Sequence, residues 1–159
     1  MIAFVSRLFG RATPAFAPAQ PRDAAAIAIL HGASFQRGWS EDEIRLLLLE
    51  ASVLSDSAAI DGKLVGFIMS RMAADEAEIL SVAIAPAWRG RGFSRPILDR
   101  HLRRLAGIGT NAVFLEVDEH NAPARRLYER AGFREVGRRQ GYYGGTATAL
   151  TLRRDLGAR

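Results

Sequence analysis

The sequence predicts an α/β chain (α+β in its segregation of elements) with one mixed central β-sheet flanked by helices. Three observations carry that expectation. The 159 residues, 48% hydrophobic and 25% charged, suit one domain with a buried core. Segments with near-helical apolar spacing interleave with short β-patterned runs. Gly, Pro and Asp punctuate the joins, and neither an internal repeat nor a long linker interrupts the alternation.

The elements follow in order. Residues 1–22 hold no acid, three prolines and, ahead of Arg22, two internal arginines (Arg7, Arg11). Arg7, Gly10 and Arg11 break the apolar stretch that a signal peptide requires. Residues 1–18 are read as a flexible extension leading into a first strand, 19–157 as one domain, and the protein as cytoplasmic. Asp23 to His31 reads as a short helix. Ser40 with Glu43 forms a capping box that opens a Leu-rich helix to about Ala51. Residues 57–60 read as a strand, Asp61-Gly62 as a hairpin turn, and Leu64 to Met72 as the return strand. After a turn at Ala74-Asp75, Glu76 to Ala85 reads as a strand ending at Pro86. A glycine-bearing basic loop, Arg89 to Ser94, precedes a helix to about Ala106 with apolar positions 97, 98, 102 and 105. Asn111 to Val117 reads as a strand, and Pro123 opens a helix to Arg130. Ala131-Gly132-Phe133 turns into another strand. Tyr142-Tyr143-Gly144-Gly145 turns into a last one, Thr146 to Arg153.

Composition removes several chemistries. There is no cysteine, which excludes disulfides, thiolate metal sites and a cysteine nucleophile. Three histidines (31, 101, 120) lack ligand spacing, so no metal is expected. No apolar run reaches the ~18 residues of a membrane span. Charge is uneven. Residues 1–88 carry 7 basic and 10 acidic side chains, net −3, and residues 89–159 carry 15 and 7, net +8. Every basic residue but Lys63 is arginine, whose fork suits phosphate and carboxylate. This excess fits either an anionic ligand or a solvated surface.

The loop at 89–94 reads as an anion site on physical grounds, beside the alternative of a tight strand-to-helix turn that holds no ligand. It leaves a strand and starts a helix, where unpaired N–H groups and the helix dipole favour negative charge. Gly90 and Gly92 permit close backbone approach, and Arg89 and Arg91 add charge. It lacks the Gly-Lys-Ser/Thr ending of a Walker loop and the third glycine of a dinucleotide fingerprint.

The run Ala85-Pro86-Ala87-Trp88-Arg89-Gly90-Arg91-Gly92-Phe93-Ser94 resembles the acetyl-CoA loop of the GNAT superfamily of N-acetyltransferases. Ser94 stands where Gly or Ala is usual. Asn121, Ala124, Leu127-Tyr128-Glu129 and Gly132-Phe133 resemble that superfamily's second signature. Gly38-Trp39-Ser40-Glu41, Leu115-Glu116-Val117, and Arg138-Arg139 before Tyr142-Tyr143 are similar to the RimI family, which acetylates the N-terminal alanine of a ribosomal protein. Gly38 replaces that family's usual Pro, and the C-terminal hairpin is short.

The resemblance implies the acyl-CoA N-acyltransferase fold, acetyl-CoA as co-substrate and an enzyme that transfers acetyl to an amine. It places Arg89, Gly90, Arg91, Gly92, Phe93, Ser94 and Arg95 at the pyrophosphate and Asn121 at the CoA arm. Asn121 reads equally well as a helix cap. The resemblance also has two central strands splay at Val82, Ala83 and Ile84, whose backbone then pairs with pantetheine amides.

Direct transfer needs a base for the amine and an acid for the leaving thiolate. Glu116, among the apolar strand residues Val113, Leu115 and Val117, is the favoured base, and the RimI resemblance assigns it the same role. Glu78 on the preceding strand, a water relay, and a structural Glu116–Arg ion pair remain open. Tyr128 is the favoured acid, since a phenol can donate to a forming thiolate. Trp39, Tyr142 and Tyr143 are candidate walls of the acceptor groove. Trp39 also fits a hydrophobic staple onto the second helix. The expected partner is a protein N-terminus or peptide, with a ribosomal protein as the candidate, and the expected state is a monomer or weak dimer without membrane or direct nucleic-acid contact. Three alternatives stand beside this: the same chemistry on a small amine, a basic nucleic-acid-binding module built on the net +8 half, and a non-catalytic acyl-CoA sensor with the donor site but no turnover.

Overall fold

Turn chemistry sets the first half of the sheet. In the computed structural model, which describes residues 12–141 and 145–157, Asp61 and Gly62 take φ of 51° and 77°. Both values are positive, as a tight hairpin between right-twisted strands requires. This turn joins β2 (Val53–Ile60) to β3 (Lys63–Ala73), and a second two-residue turn at Ala74-Asp75 joins β3 to β4 (Glu76–Ile84). Before them come β1 (Ala15–Pro18), α1 (Ala24–Ser34) and α2 (Glu41–Leu49). After them come α3 (Ser94–Gly107), β5 (Ala112–Asp118), α4 (Ala122–Arg130), β6 (Arg134–Gln140) and β7 (Thr148–Asp155).

The seven strands form one sheet in the order β1-β2-β3-β4-β5-β7-β6. β4 and β5 are the one parallel pair of neighbouring strands among the described residues, and their connection crosses over through α3. One face packs Ile97, Leu98, Leu102 and Leu105 of α3 and Tyr128 of α4 against Ile68, Ile79, Val113, Leu115 and Leu150. The other packs Ala24, Ile27 and Leu30 of α1 and Ile44 of α2 against Phe67, Met69 and Ala83. The mixed sheet flanked by helices is the predicted fold class.

The structure differs from the sequence reading at three places. Ala15–Pro18 pairs with Ser57 and its neighbours as an edge strand, so the sheet claims the end of the segment read as a flexible extension over 1–18. Residues 1–11 lie outside the described residues. β2 begins at Val53 rather than 57, because the polar Ser55 and Asp56, which masked it, are buried and bonded inside. The last strand spans Thr148–Asp155 rather than 146–153.

At α2 the capping box is formed as read: Glu43 N–H donates to Ser40 Oγ (3.1 Å) and Ser40 N–H to Glu43 Oε2 (2.7 Å). His31 anchors the turn before it. Trp39 N–H donates to His31 Nδ1 (3.0 Å), and the two rings stack at 4.3 Å. Burial holds the imidazole below its ordinary value, partly offset by the Glu43 charge. The unfolded chain therefore takes up a proton first, below about pH 6.5. Stability from this site is full above that value and falls as the pH drops below it. A Tm series from about pH 7 to 5.5 should slope downward, and His31→Gln should flatten the slope.

Candidate active site

The central opening of the sheet follows from the register of β4 and β5. Their ladder has three rungs: Glu76↔Ala112, Ala77↔Val113 and Glu78↔Phe114. Both strands continue, β4 through Ile84 and β5 through Asp118, without pairing with each other. The closed end is fastened: Asn111 N–H donates to Asp75 O (2.7 Å) and Asn111 Nδ2 to Asp75 Oδ2 (2.9 Å). A bulge sits where the ladder stops. On the β3 side, Met69 pairs with Ser81 and Ser70 with Ile79, which leaves Leu80 as the extra residue. The splay expected at Val82, Ala83 and Ile84 is thus present, with their β5-facing edge unpaired. Ser81 Oγ is the one sealed side-chain N or O atom among the described residues without a partner.

The glycine loop stands at the mouth of this opening. Pro86–Trp88 forms a 3-10 turn, and Gly90 (φ 73°) and Gly92 (φ 81°) take left-handed conformations that other residues resist. Nothing lies within 4 Å of a Cβ at either glycine. The N-terminus of α3 has no side-chain cap at Phe93, whereas Ser40 and Asn121 cap α2 and α4. Its first N–H groups and dipole are therefore available to an anion. The loop's arginines are used differently from the sequence reading. Arg89 donates to Ile84 O (3.0 Å) and Ser34 Oγ (3.1 Å), tying the loop to β4 and α1. Arg91 lies over the Trp88 ring (4.6 Å), and Arg95 pairs with Asp99 (2.9 Å). Much of the basic half is likewise self-paired: Arg100 and Arg104 on Asp56, Arg134 on Asp155 and Arg138 on Glu135. What this loop can offer an anion is therefore backbone N–H groups first and guanidinium charge second.

Gly92→Val should raise the dissociation constant for acetyl-CoA by about tenfold, since the strained backbone would turn its N–H away. Calorimetric titration reads this directly.

Tyr128 points inward from α4 and is 6% exposed, edge-on to Phe133 at 5.6 Å. Of the three residues whose helical spacing predicts an outward face, Arg126 and Glu129 are exposed, whereas Arg125 is part-buried and donates to Glu119 O (2.9 Å). The phenol makes no hydrogen bond among the described residues, and burial pushes its pKa up to about 12. Since its oxygen is not among the sealed unpartnered atoms, it reaches a surface.

Glu116 is placed differently from the sequence reading. Val113, Leu115 and Val117 point into the α3/α4 side of the sheet, so strand alternation sends Glu116 to the opposite face. There its side chain is 21% exposed and pairs with Arg139 of β6, the alternative that the sequence left open. Glu78 has no hydrogen-bond or ion-pair partner among the described residues. With Arg71, Glu76 and Phe114 it lines a cavity of about 270 Å³. Asn121 does cap α4, accepting from Ala124 N–H at 3.3 Å. Trp39 packs with Ile44 in the α1/α2 core, the staple arrangement. Tyr142 and Tyr143 lie outside the described residues. The sequence reading missed Ser81, and it named Arg139 in a motif without identifying it as the partner of Glu116; the pairing of β6 with β7 brings the two together, and no local pattern encodes that contact.

Among the described residues no group of three or more His, Asp or Glu could hold a metal ion, and no helix is long and apolar enough to cross a membrane.

A parallel strand pair that parts beside an uncapped helix N-terminus, with a buried tyrosine at hand, is the arrangement that the sequence resemblance to the N-acetyltransferases leads one to expect. The Acetyltransferase (GNAT) family model matches residues 24–133, and the chain belongs to that family. It is similar to the [ribosomal protein bS18]-alanine N-acetyltransferase of Haemophilus influenzae, 35% identical over 96 residues covering 58% of this chain and 65% of that one. It is also similar to the N-alpha-acetyltransferase RimI of Mycobacterium tuberculosis, 40% identical over 101 residues covering 60% and 62%. The matched region spans slightly less than two thirds of these curated relatives. The crystal structure of the ribosomal-protein-S18-alanine N-acetyltransferase from Escherichia coli shares the fold, with a TM-score of 0.86 at 24% identity over 92% of this chain and 96% of that one.

Proposed function

We propose that the protein is an acetyl-CoA-dependent N-acetyltransferase that acts in the cytoplasm on the N-terminal amino group of a protein, an alanine of a ribosomal protein. The observation that carries the donor half is the β4–β5 ladder that ends at Glu78↔Phe114 beside the uncapped start of α3. The names of the similar proteins support the acceptor half.

In this reading the α3 N-terminus and the Gly90–Gly92 loop hold the pyrophosphate, and Arg91 and Arg95 lend positive charge around it. The unpaired edge of Val82, Ala83 and Ile84 offers backbone N–H and C=O groups to the pantetheine amides. The same edge, with Ser81 nearby, can polarise the thioester carbonyl. Asn121 fixes the start of α4 and meets the CoA arm. Acetyl-CoA supplies the acyl group, and the chain's own side chains move the protons. Glu116 accepts the proton of the acceptor ammonium, directly or through water, once that cation replaces the Arg139 guanidinium at its carboxylate. Glu78 lines the approach from the cavity side. Tyr128 donates to the departing sulfur. With its pKa near 12 against about 8.5 for an ordinary thiol, it stabilises the thiolate chiefly as a hydrogen-bond donor. Holding amine and thioester in one groove supplies the rest of the rate.

Calorimetry with acetyl-CoA, followed by mass spectrometry of an Ala-starting peptide, tests the whole reading. Binding with a gain of one acetyl group at the peptide N-terminus is expected. Binding with transfer only to small amines would overturn the acceptor. No binding would overturn the donor site.

A further inference from the structure

Three buried polar side chains have no part in the chemistry above. Asp56 of β2, Ser70 of β3 and His101 of α3 are each 0% exposed. His101 Nδ1 lies 2.7 Å from Asp56 Oδ2, and His101 Nε2 lies 2.7 Å from Ser70 Oγ. Asp56 Oδ1 also accepts from Arg104 Nη1 (2.5 Å) and Arg100 Nε (3.2 Å). Arg104 reaches Ser55 O as well (3.2 Å). Burial pushes the Asp56 carboxyl up, but the hydrogen bonds and charges of His101 and Arg104 outweigh it and hold the group below its ordinary value. An ionised carboxylate only accepts, so His101 Nδ1 donates to it. The Ser–His–Asp order matches a nucleophilic triad. A hydroxyl with no exposed surface cannot meet a substrate, however, so the cluster does not act as one.

Its placement gives it another use. α3 is the helix whose N-terminus faces the proposed donor pyrophosphate, and His101 sits seven residues in, about 10 Å along the axis. The other contacts of α3 with the sheet are Ile97, Leu98, Leu102 and Leu105. Apolar contacts are non-directional and leave a helix free to slide or turn slightly. Three α3 side chains converging on one carboxylate do not. Ser70, at the far end of the cluster, pairs with Ile79 at the bulge where β4 leaves β5. One network thus joins the helix start that would hold the pyrophosphate to the bulge that opens the sheet. A buried ion pair is a poor source of net stability compared with apolar packing, so geometry is its better explanation.

We propose that Ser70, His101 and Asp56 are positioning residues for the acyl donor, a clamp that fixes α3 against the β4 bulge. The inference rests on the donor site proposed above. Its test uses the full chain with Ser70→Ala, which removes one hydroxyl, and Arg104→Ala, at a part-buried position, should the first variant not fold. Expected is a rise of about tenfold in KM for acetyl-CoA, with kcat at saturating donor within about twofold and KM for the acceptor peptide unmoved. The amide chemical shifts of residues 79–82, 92–95 and 97 should move together (Pro96 has no amide proton). His101→Asn, which keeps a donor toward Asp56 but not the link to Ser70, should reproduce the Ser70→Ala effect. A lower Tm with donor KM and those amides unchanged would overturn the clamp and leave only a stabilising role. If the unaltered protein fails to bind acetyl-CoA, the proposed function falls. The amide shifts then still judge the clamp: unmoved shifts in Ser70→Ala overturn it.

Discussion

Tyr128→Phe is expected to lower kcat by about a hundredfold, the lower end of what a positioned proton donor contributes. The dissociation constant for acetyl-CoA should stay within about twofold, because the ring keeps its packing on Phe133. Two features account for an effect of this size. The hydroxyl is the one polar atom of an otherwise apolar ring in the α4 core, and it has no hydrogen-bond partner among the described residues to compensate its loss. Its raised pKa adds a pH signature. The folded phenol ionises near 12 and the unfolded one near 10. The phenol's contribution to stability is thus complete below about pH 10 and lost as the pH rises toward 12. Any loss of activity on the basic side below about pH 10 must then come from another group. Stopped-flow turnover across pH with the Phe variant as reference checks both statements. Equal losses of kcat and donor affinity would mean that Tyr128 only packs.

Glu116→Gln is expected to lower kcat at moderate pH by about a hundredfold, again with donor affinity retained. The amide keeps the shape of the side chain but cannot accept the proton of an ammonium. Arg139 makes the outcome informative. In the structure its guanidinium occupies the Glu116 carboxylate that the acceptor amine would need. Arg139→Gln should leave the donor constants alone and change KM for the acceptor, since the incoming cation no longer has to displace a resident one. A salt bridge of structural value alone would show the reverse, with a lower Tm in both variants and unchanged kinetics. If Glu78→Gln abolishes turnover while Glu116→Gln is mild, the base is Glu78, which already faces a cavity without a partner.

Local chemistry was legible wherever neighbours in sequence are neighbours in space. Ser40 and Glu43 form their capping box because a helix brings N-cap and N3 together whatever surrounds them. Asp61-Gly62 makes its hairpin, and Gly90 and Gly92 take the positive φ that their loop requires. Tyr128 faces inward because its helical spacing from Arg126 and Glu129 leaves no other side. The polar start of β2 was illegible. Ser55 and Asp56 read as loop residues until His101 and Arg104, more than forty positions away, arrive to satisfy them.

The sequence by itself determined the class of this protein: one mixed sheet, a glycine loop at a helix start, and a tyrosine on the helix after the fifth strand. Those features depend on spacings of two to four residues, which backbone geometry converts directly into turns, caps and faces. Tertiary structure alone decided how the loop's arginines are spent, that Glu116 meets Arg139, and that three α3 side chains converge on the buried Asp56 carboxylate. Each of these depends on strand register and helix docking, where one residue of slip would reverse every face. No local pattern carries that information, because the partners come together only when the sheet closes.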